Sequence, residues 1–203
     1  MLGVLVEKAA TVPDSYPLSL NSLTLGCNQK TARDPVLHAT ESEVQAAVDA
    51  LKSLSLVFES SGSRVTRYEH NLPRAIGVPS AAAALLAVLM LRGPQTASEL
   101  RANCERLHRF ADTGSVEAFL EELASRPEDK GGPLVVLLPR APGAREPRWA
   151  QLLTGPVDTS RMPVATDNDQ FVATSEIASL RAEVQRLHAL VERLYSELGI
   201  SKG

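Results

Sequence analysis

The sequence predicts a mainly α-helical protein with small β-hairpins: tandem winged-helix (helix-turn-helix) domains followed by a C-terminal helix. Three observations carry this expectation. Apolar residues recur at spacings of three and four, in two places directly behind a Thr-x-x-Glu capping box, at Thr40 with Glu43 and Thr96 with Glu99. After the third helix the period changes to two, in short runs bounded by Ser, Gly and Pro. The order of helices and hairpin then occurs a second time, which divides the chain into domains at 1–76 and 77–155, a linker at 156–173 and a heptad-patterned helix at 174–200.

In the first domain, Leu2, Leu5, Val6 and Ala9 have helical spacing, and Pro13 stops that helix because it lacks an amide hydrogen and its ring clashes with the preceding turn. Pro17 and Ser19 open a second helix with Leu20, Leu23 and Cys27 on its inner face, Cys27 acting as a small hydrophobe. A polar connection from Asn28 to His38, stopped by Pro35, leads to the Thr40 capping box. The run Val44, Ala47, Val48, Leu51, Leu54 then gives a third helix of about 13 residues. Val57 to Glu59, a Ser-Ser-Gly-Ser turn and Val65 to His70 complete a hairpin.

The second domain repeats this. Ser80 caps a helix over Ala81 to Leu91, and Arg92-Gly93-Pro94 ends it with glycine where a left-handed cap belongs. Thr96 and Glu99 start the next, with Leu100, Cys104 and Leu107 as its apolar seam. Gly114 or Ser115 starts a third, with Val116, Phe119, Leu120 and Leu123 inward. Leu134 to Leu138 and Arg145 to Leu153 form the second hairpin, broken at Ala141-Pro142-Gly143, and Trp149 covers the core from the return strand. VQAAVDAL (44–51) lies over VEAFLEEL (116–123), and LTLGC (23–27) over LRANC (100–104), an internal duplication that sets Cys27 and Cys104 in separate cores.

Residues 155–173 are rich in Pro, Thr, Ser, Asp and Asn, the profile of a linker. Beyond it Ile177, Leu180, Val184, Leu187, Val191, Leu194 and Leu198 alternate steps of three and four, a seam suited to a parallel two-stranded coil or to packing on the protein's own body. A homodimer through this helix is the self-association the pattern supports.

The totals limit the chemistry. With 21 basic and 24 acidic side chains the net charge is -3, so nucleic-acid binding needs local basic residues rather than a global field. Two cysteines 77 residues apart form no disulfide framework or zinc knuckle, which fits a reducing cytoplasm. Glu7 interrupts the N-terminal apolar stretch too early for a secretory signal, and an 11-residue apolar run, Ala81 to Leu91, cannot span a bilayer. A soluble, cytoplasmic protein without membrane partners is expected.

No enzyme motif appears: His38, His70, His108 and His188 fall in four different elements, and there is no His-Glu-x-x-His, nucleophile elbow or phosphate loop. Cys104 and His108 sit one helical turn apart, but Cys104 belongs to the apolar seam and no third residue orients the histidine. Glu105 and His108 are too few for a metal. No cofactor is expected. The third helices are acidic, with Glu41, Glu43 and Asp49 against Lys52 in one and Glu117, Glu121 and Glu122 against Arg126 in the other, and Gln45 is the one candidate base reader. Basic residues gather elsewhere, making Lys30, Arg33, Arg64, Arg67, Arg140, Arg145 and Arg148 the nucleic-acid-contact candidates. Asn28, Gln29, Arg33, Asp34 and Arg106 form a candidate structural or interdomain polar cluster, with Arg33 bridging to an acid of the neighbouring domain.

The segments VLVEKAATVPDSYPLSLNSLTLGCNQKTARDPV (4–36), SGSRVTRYEH (61–70), LMLRGPQTASELRANCERLHRF (89–110) and PLVVLLPR (133–140) resemble the YceH-like family of uncharacterised bacterial proteins, over about residues 2–155. The resemblance runs through Asn28, Gln29, Lys30, Arg33 and Pro35, and then through Arg92, Gly93, Pro94, Glu99, Leu100, Arg106, Leu107 and Phe110. It implies tandem winged-helix domains and brings no established reaction, ligand or partner. The chain departs from the family pattern at Ser55, where glycine usually precedes the first wing; serine there would lengthen the third helix. The reading favoured is a non-enzymatic winged-helix protein with a nucleic-acid-binding or regulatory role. The alternative is a protein–protein interaction scaffold using the acidic third helices and the C-terminal helix.

Overall fold

The computed structural model describes residues 1–60 and 65–157. Arg64, residues 158–173 of the linker and the seam from Ile177 to Leu198 lie outside the described residues. Within them the chain is mainly helical, with seven α-helices and two small antiparallel sheets. In order these are α1 (Leu2–Thr11), β1 (Leu18–Ser19), α2 (Leu20–Cys27), α3 (Glu41–Ser53), β2 (Val57–Ser60), β3 (Arg67–His70), α4 (Leu72–Ile76), α5 (Ser80–Arg92), α6 (Ala97–Cys104), α7 (Thr113–Ala124), β4 (Val135–Leu137) and β5 (Trp149–Gln151). No described helix is long and apolar enough to cross a membrane.

Residues Met1–Arg140 and Arg145–Asp158 form one compact unit. It holds two cores. Leu5, Leu23, Cys27, Val44, Val48, Val57, Tyr68 and Leu72 centre the first, and Leu85, Leu86, Leu100, Cys104, Phe110, Val116, Leu120 and Trp149 the second. Helix α5 belongs to both: Ala83, Ala87 and Leu91, spaced four apart, face the first core, while Ala82, Leu85, Leu86 and Leu89 face the second. Ten of its thirteen residues are buried, so the helix has no polar stripe to leave in water. The α1 helix reaches α5 because Gly3 has no side chain; a Cβ there would sit 3.0 Å from the Ala87 carbonyl oxygen. Outside this unit, Ala141–Ala144 is a turn closed by the Ala144 N–H on the Ala141 carbonyl at 3.0 Å.

Local signals explain most helix boundaries. Both capping boxes are made: Thr40 and Thr96 accept from the amides of Glu43 and Glu99, whose carboxylates accept from the cap amides in return. Ser80, expected as a cap, is instead the first residue of α5; Pro79 holds the cap position, so α5 has no side-chain cap bond. The α7 helix starts at Thr113 rather than at Gly114 or Ser115, because Asp112 Oδ1 accepts the Ser115 amide at 2.7 Å. Gly93 does take a positive φ of 71°, but its ψ of -161° lies outside the left-handed helical region. Ser55 does not lengthen α3. The helix stops at Ser53 and Ser55 adopts φ 57°, the conformation in which glycine is easiest.

In the first sheet β3 lies between β1 and β2, with Leu18 opposite Tyr68 and Val57 opposite His70. The second pairs β4 with β5, Leu137 opposite Trp149, and Gln95 bridges Trp149 on the far side through a reciprocal pair of backbone bonds at 2.7 and 3.0 Å. Neither Leu18–Ser19 nor α4 was expected, and the return strand is shorter than residues 145–153. Leu107, expected on the α6 seam, lies past that helix in a turn.

These pairings extend the repeat beyond the helices. PLSLNSLTLGC (17–27) and PQTASELRANC (94–104) match position for position, with Ser19 and Thr96 both as caps, Leu23 and Leu100 both fully buried, and Cys27 and Cys104 each in its own core. Arg67 Nη1 donates to the Pro17 carbonyl at 2.8 Å and Arg148 Nη1 to the Pro94 carbonyl at 2.9 Å. In both halves an arginine, at the start of β3 or just before β5, ties the last strand to the entry of the second helix.

Candidate nucleic-acid interface

The polar segment after α2 is built from inside. Asn28 donates from Nδ2 to the Ala39 carbonyl at 2.8 Å and accepts the Ala39 amide on Oδ1 at 2.7 Å, closing the loop at its base as a strand partner would. Gln29 accepts from Lys8 Nζ at 3.0 Å and donates to Thr31. The Arg33 side chain is 3% exposed. Its Nη2 meets Glu7 Oε2 at 2.6 Å, and its remaining donors go to the carbonyls of Gly26 and Ala32 and to Glu7 Oε1. A buried guanidinium needs such complete pairing, because leaving it unpaired costs several kcal/mol.

The acid that meets Arg33 is therefore on α1 of its own half, and not in the neighbouring domain. The link to the second half is a backbone one: the Asp34 amide donates to the Leu91 carbonyl at 2.9 Å, while the Asp34 side chain is exposed. Arg106 does not join the cluster. It is exposed on the turn after α6.

The basic candidates separate into two sets. Arg33, Arg67 and Arg148 are tied to protein groups, Arg148 through a bidentate pair to Glu99 at 2.8 and 2.9 Å in addition to its bond to Pro94. Lys30, Arg140 and Arg145 are exposed. Glu7 and Glu99, the two carboxylates that hold arginines, went unread as partners. Glu99 was visible as half of a capping box and as part of the family resemblance, and no local pattern links it to Arg148, 49 residues away.

The third helices present acid to solvent. Glu41, Glu43 and Asp49 are exposed on α3, and Glu117, Glu121 and Glu122 on α7. Hydrogen bonds from the Thr40 amide and hydroxyl hold the Glu43 carboxyl below its usual range, so it is ionised at neutral pH. Gln45 is engaged within the protein, accepting the Tyr68 hydroxyl at 3.1 Å and donating to Asp49 at 3.0 Å. Lys52 is paired with Glu59. A phosphate backbone approaching α3 would meet three carboxylates and one neutralised lysine.

Catalytic and metal chemistry find few parts. Burial pushes the Cys104 thiol up to about 12, leaving almost no thiolate at neutral pH. His108 is joined to Cys104 only through backbone, its amide on the Cys104 carbonyl at 2.9 Å, and its ring packs edge-on against Phe110 at 4.7 Å. Among the described residues no three His, Cys, Asp or Glu side chains come together as a metal site would need.

A family model described as "Protein of unknown function, DUF480" matches residues 1–144. Relatives named UPF0502 protein extend the likeness along the chain. One from Acidovorax sp. (strain JS42) is 58% identical over 100% of this chain and 92% of its own length. One from Methylibium petroleiphilum is 66% identical over 94% of this chain and 81% of its own, and one from Burkholderia multivorans is 62% identical over 98% and 87%.

Proposed function

This chain belongs to the DUF480 family, whose curated relatives carry the name UPF0502, and from that premise we propose that it is a non-enzymatic protein-binding module. In this reading it is a YceH-like tandem of winged-helix domains, 1–76 and 77–155, whose third helices α3 and α7 meet a protein partner. One observation carries it: Arg33, Arg67 and Arg148, three of the candidate phosphate contacts, are bonded to carbonyls and carboxylates of the protein itself, while α3 and α7 expose carboxylates. A partner surface with Lys and Arg suits that face, and charge complementarity would set its approach. Dimerisation through the C-terminal seam would double the surface, and cytoplasmic residence is part of the same proposal.

The test compares the full chain with a Glu41→Lys, Asp49→Lys double variant in nuclease-treated lysate. A protein retained by the first and lost by the second supports the module. Equal retention of all proteins by both chains rejects it. A second reading, nucleic-acid binding in a regulatory role, is favoured by the exposure of Lys30, Arg140 and Arg145. Anisotropy against random duplex at low salt decides for it if affinity falls with salt as several phosphate contacts require, and the three substitutions to Ala flatten that slope.

A further inference from the structure

We propose that the cavity between α7, the 77–79 connection and the start of α5 is a binding site for a small carboxylate with a compact apolar body. This inference goes beyond the protein-binding reading and does not rest on it. The cavity measures about 210 Å³. That is several times the roughly 30 Å³ share of one water, and below the roughly 300 Å³ where drug-sized ligands begin. The occupant is thus the size of one aromatic ring or a short branched chain.

Apolar walls come from Val78, Pro79, Ala82, Phe119 and Leu123. Phe119 is fixed by an edge-on contact with Phe110, ring centres 5.8 Å apart, so that wall is set before any ligand arrives. Glu122, Ser125, Arg126 and Lys130 supply the polar part of the lining. Arg126 donates from Nη2 to the Ile76 carbonyl, which anchors the guanidinium, and among the described residues its other N–H groups donate to no protein acceptor. Lys130 adds a second positive charge and Glu122 one negative, leaving a net charge of +1 on the lining (2 − 1). A planar fork with free donors next to an apolar slot matches a carboxylate better than a neutral or cationic head group.

The first half of the repeat lacks these side chains. Counting from the helix caps Thr40 and Asp112, the first-half counterparts of Phe119, Glu122 and Arg126 are Ala47, Ala50 and Leu54. Leu54 is 65% exposed, so an apolar residue at this place serves the first half without being buried. The ring, the acid and the guanidinium are additions of the second half alone.

Amide NMR of the full chain, titrated with sodium benzoate, sodium isovalerate, benzyl alcohol and benzylamine, tests the site. At least one carboxylate should shift the Gly77, Phe119 and Ser125 amides saturably, with the alcohol at least about tenfold weaker and the amine silent. Arg126→Met should weaken that carboxylate at least about tenfold. Because Arg126 also holds Ile76, exposed Lys130 supplies a second variant, and Lys130→Glu should cost about threefold or more. Arg145→Met should change nothing. The proposal is overturned if neither carboxylate saturates, if the shifts map elsewhere, if alcohol and carboxylate bind alike, or if Lys130→Glu binds as the parent does.

Discussion

Lys30 and Arg33 lie three residues apart in one loop and end in opposite environments, the first in water and the second closed in by Glu7, Gly26 and Ala32. Nothing in the spacing of charges could tell them apart, because the acid that buries Arg33 is 26 residues away on α1. Arg33→Met should lower unfolding stability in urea by about 3 kcal/mol, since Glu7 loses its close buried cation and keeps only Lys8 at 3.6 Å, and Glu7→Met added to it should recover part of the loss. Ser55 offers the opposite change. Its φ of 57° strains a residue with a Cβ, so Ser55→Gly should raise stability by about 0.5–1 kcal/mol in the same measurement. Burial also sets a pH limit. The Cys104 thiol is pushed from an ordinary 9.0 to about 12, and burial, aided by Glu69, moves the Tyr16 phenol from 10.0 to about 12 against the opposing His70 amide bond. The unfolded chain releases these protons first, so it binds fewer than the folded chain between pH 9 and 12. Stability must therefore fall as pH rises through that window, and urea midpoints measured from pH 8 to about 11 should decline steadily.

At the scale of elements, the legible parts are those whose signals are local. Thr40 with Glu43 and Thr96 with Glu99 lie within four residues of one another, and both helices begin where those boxes put them. The β1 strand is two residues long and exists only because Leu18 and Ser19 meet Tyr68 and Arg67 across the chain, so no run of β-formers announced it. The same distance hides the ties from Arg67 to Pro17 and from Arg148 to Pro94. What the sequence did expose was that LTLGC and LRANC occupy one role; of the three positions between the shared Leu and Cys, all of which differ, Gly26 is the one where a close approach depends on the difference. Its absent side chain lets α1 close on α2, as a Cβ would come within 2.7 Å of Val4 Cγ1. Gly26→Ala gains about 1 kcal/mol of helix propensity but overpacks a β-branched neighbour at a cost of about 1–3 kcal/mol. Thermal unfolding should show a net loss, whereas Asn103→Ala, its counterpart in LRANC, should act through the lost bond to Gln95 Oε1 instead.

Across the whole compact unit, the two halves share α5, and this decides how they unfold. The apolar run from Ala81 to Leu91 announced a buried helix, but its period does not say that Ala83, Ala87 and Leu91 serve one core and Leu85, Leu86 and Leu89 the other. A boundary at 76/77 drawn from the repeat leaves α5 with the second half, yet removing the first half would expose those three side chains and the groove that holds Gly3. The halves should therefore melt together. The sole tryptophan gives a direct reading, because Trp149 belongs to the second core and is not among the residues of the first. Val48→Ala, a fully buried change in the first core, removes about 2 kcal/mol. If α5 couples the cores, the Trp149 emission midpoint moves down by about 5 °C together with the helical circular dichroism signal. A Trp149 transition that stays in place while half of the helical signal shifts would mean that α5 holds with the second core alone, and that its alanine face to the first half is a contact without cooperativity.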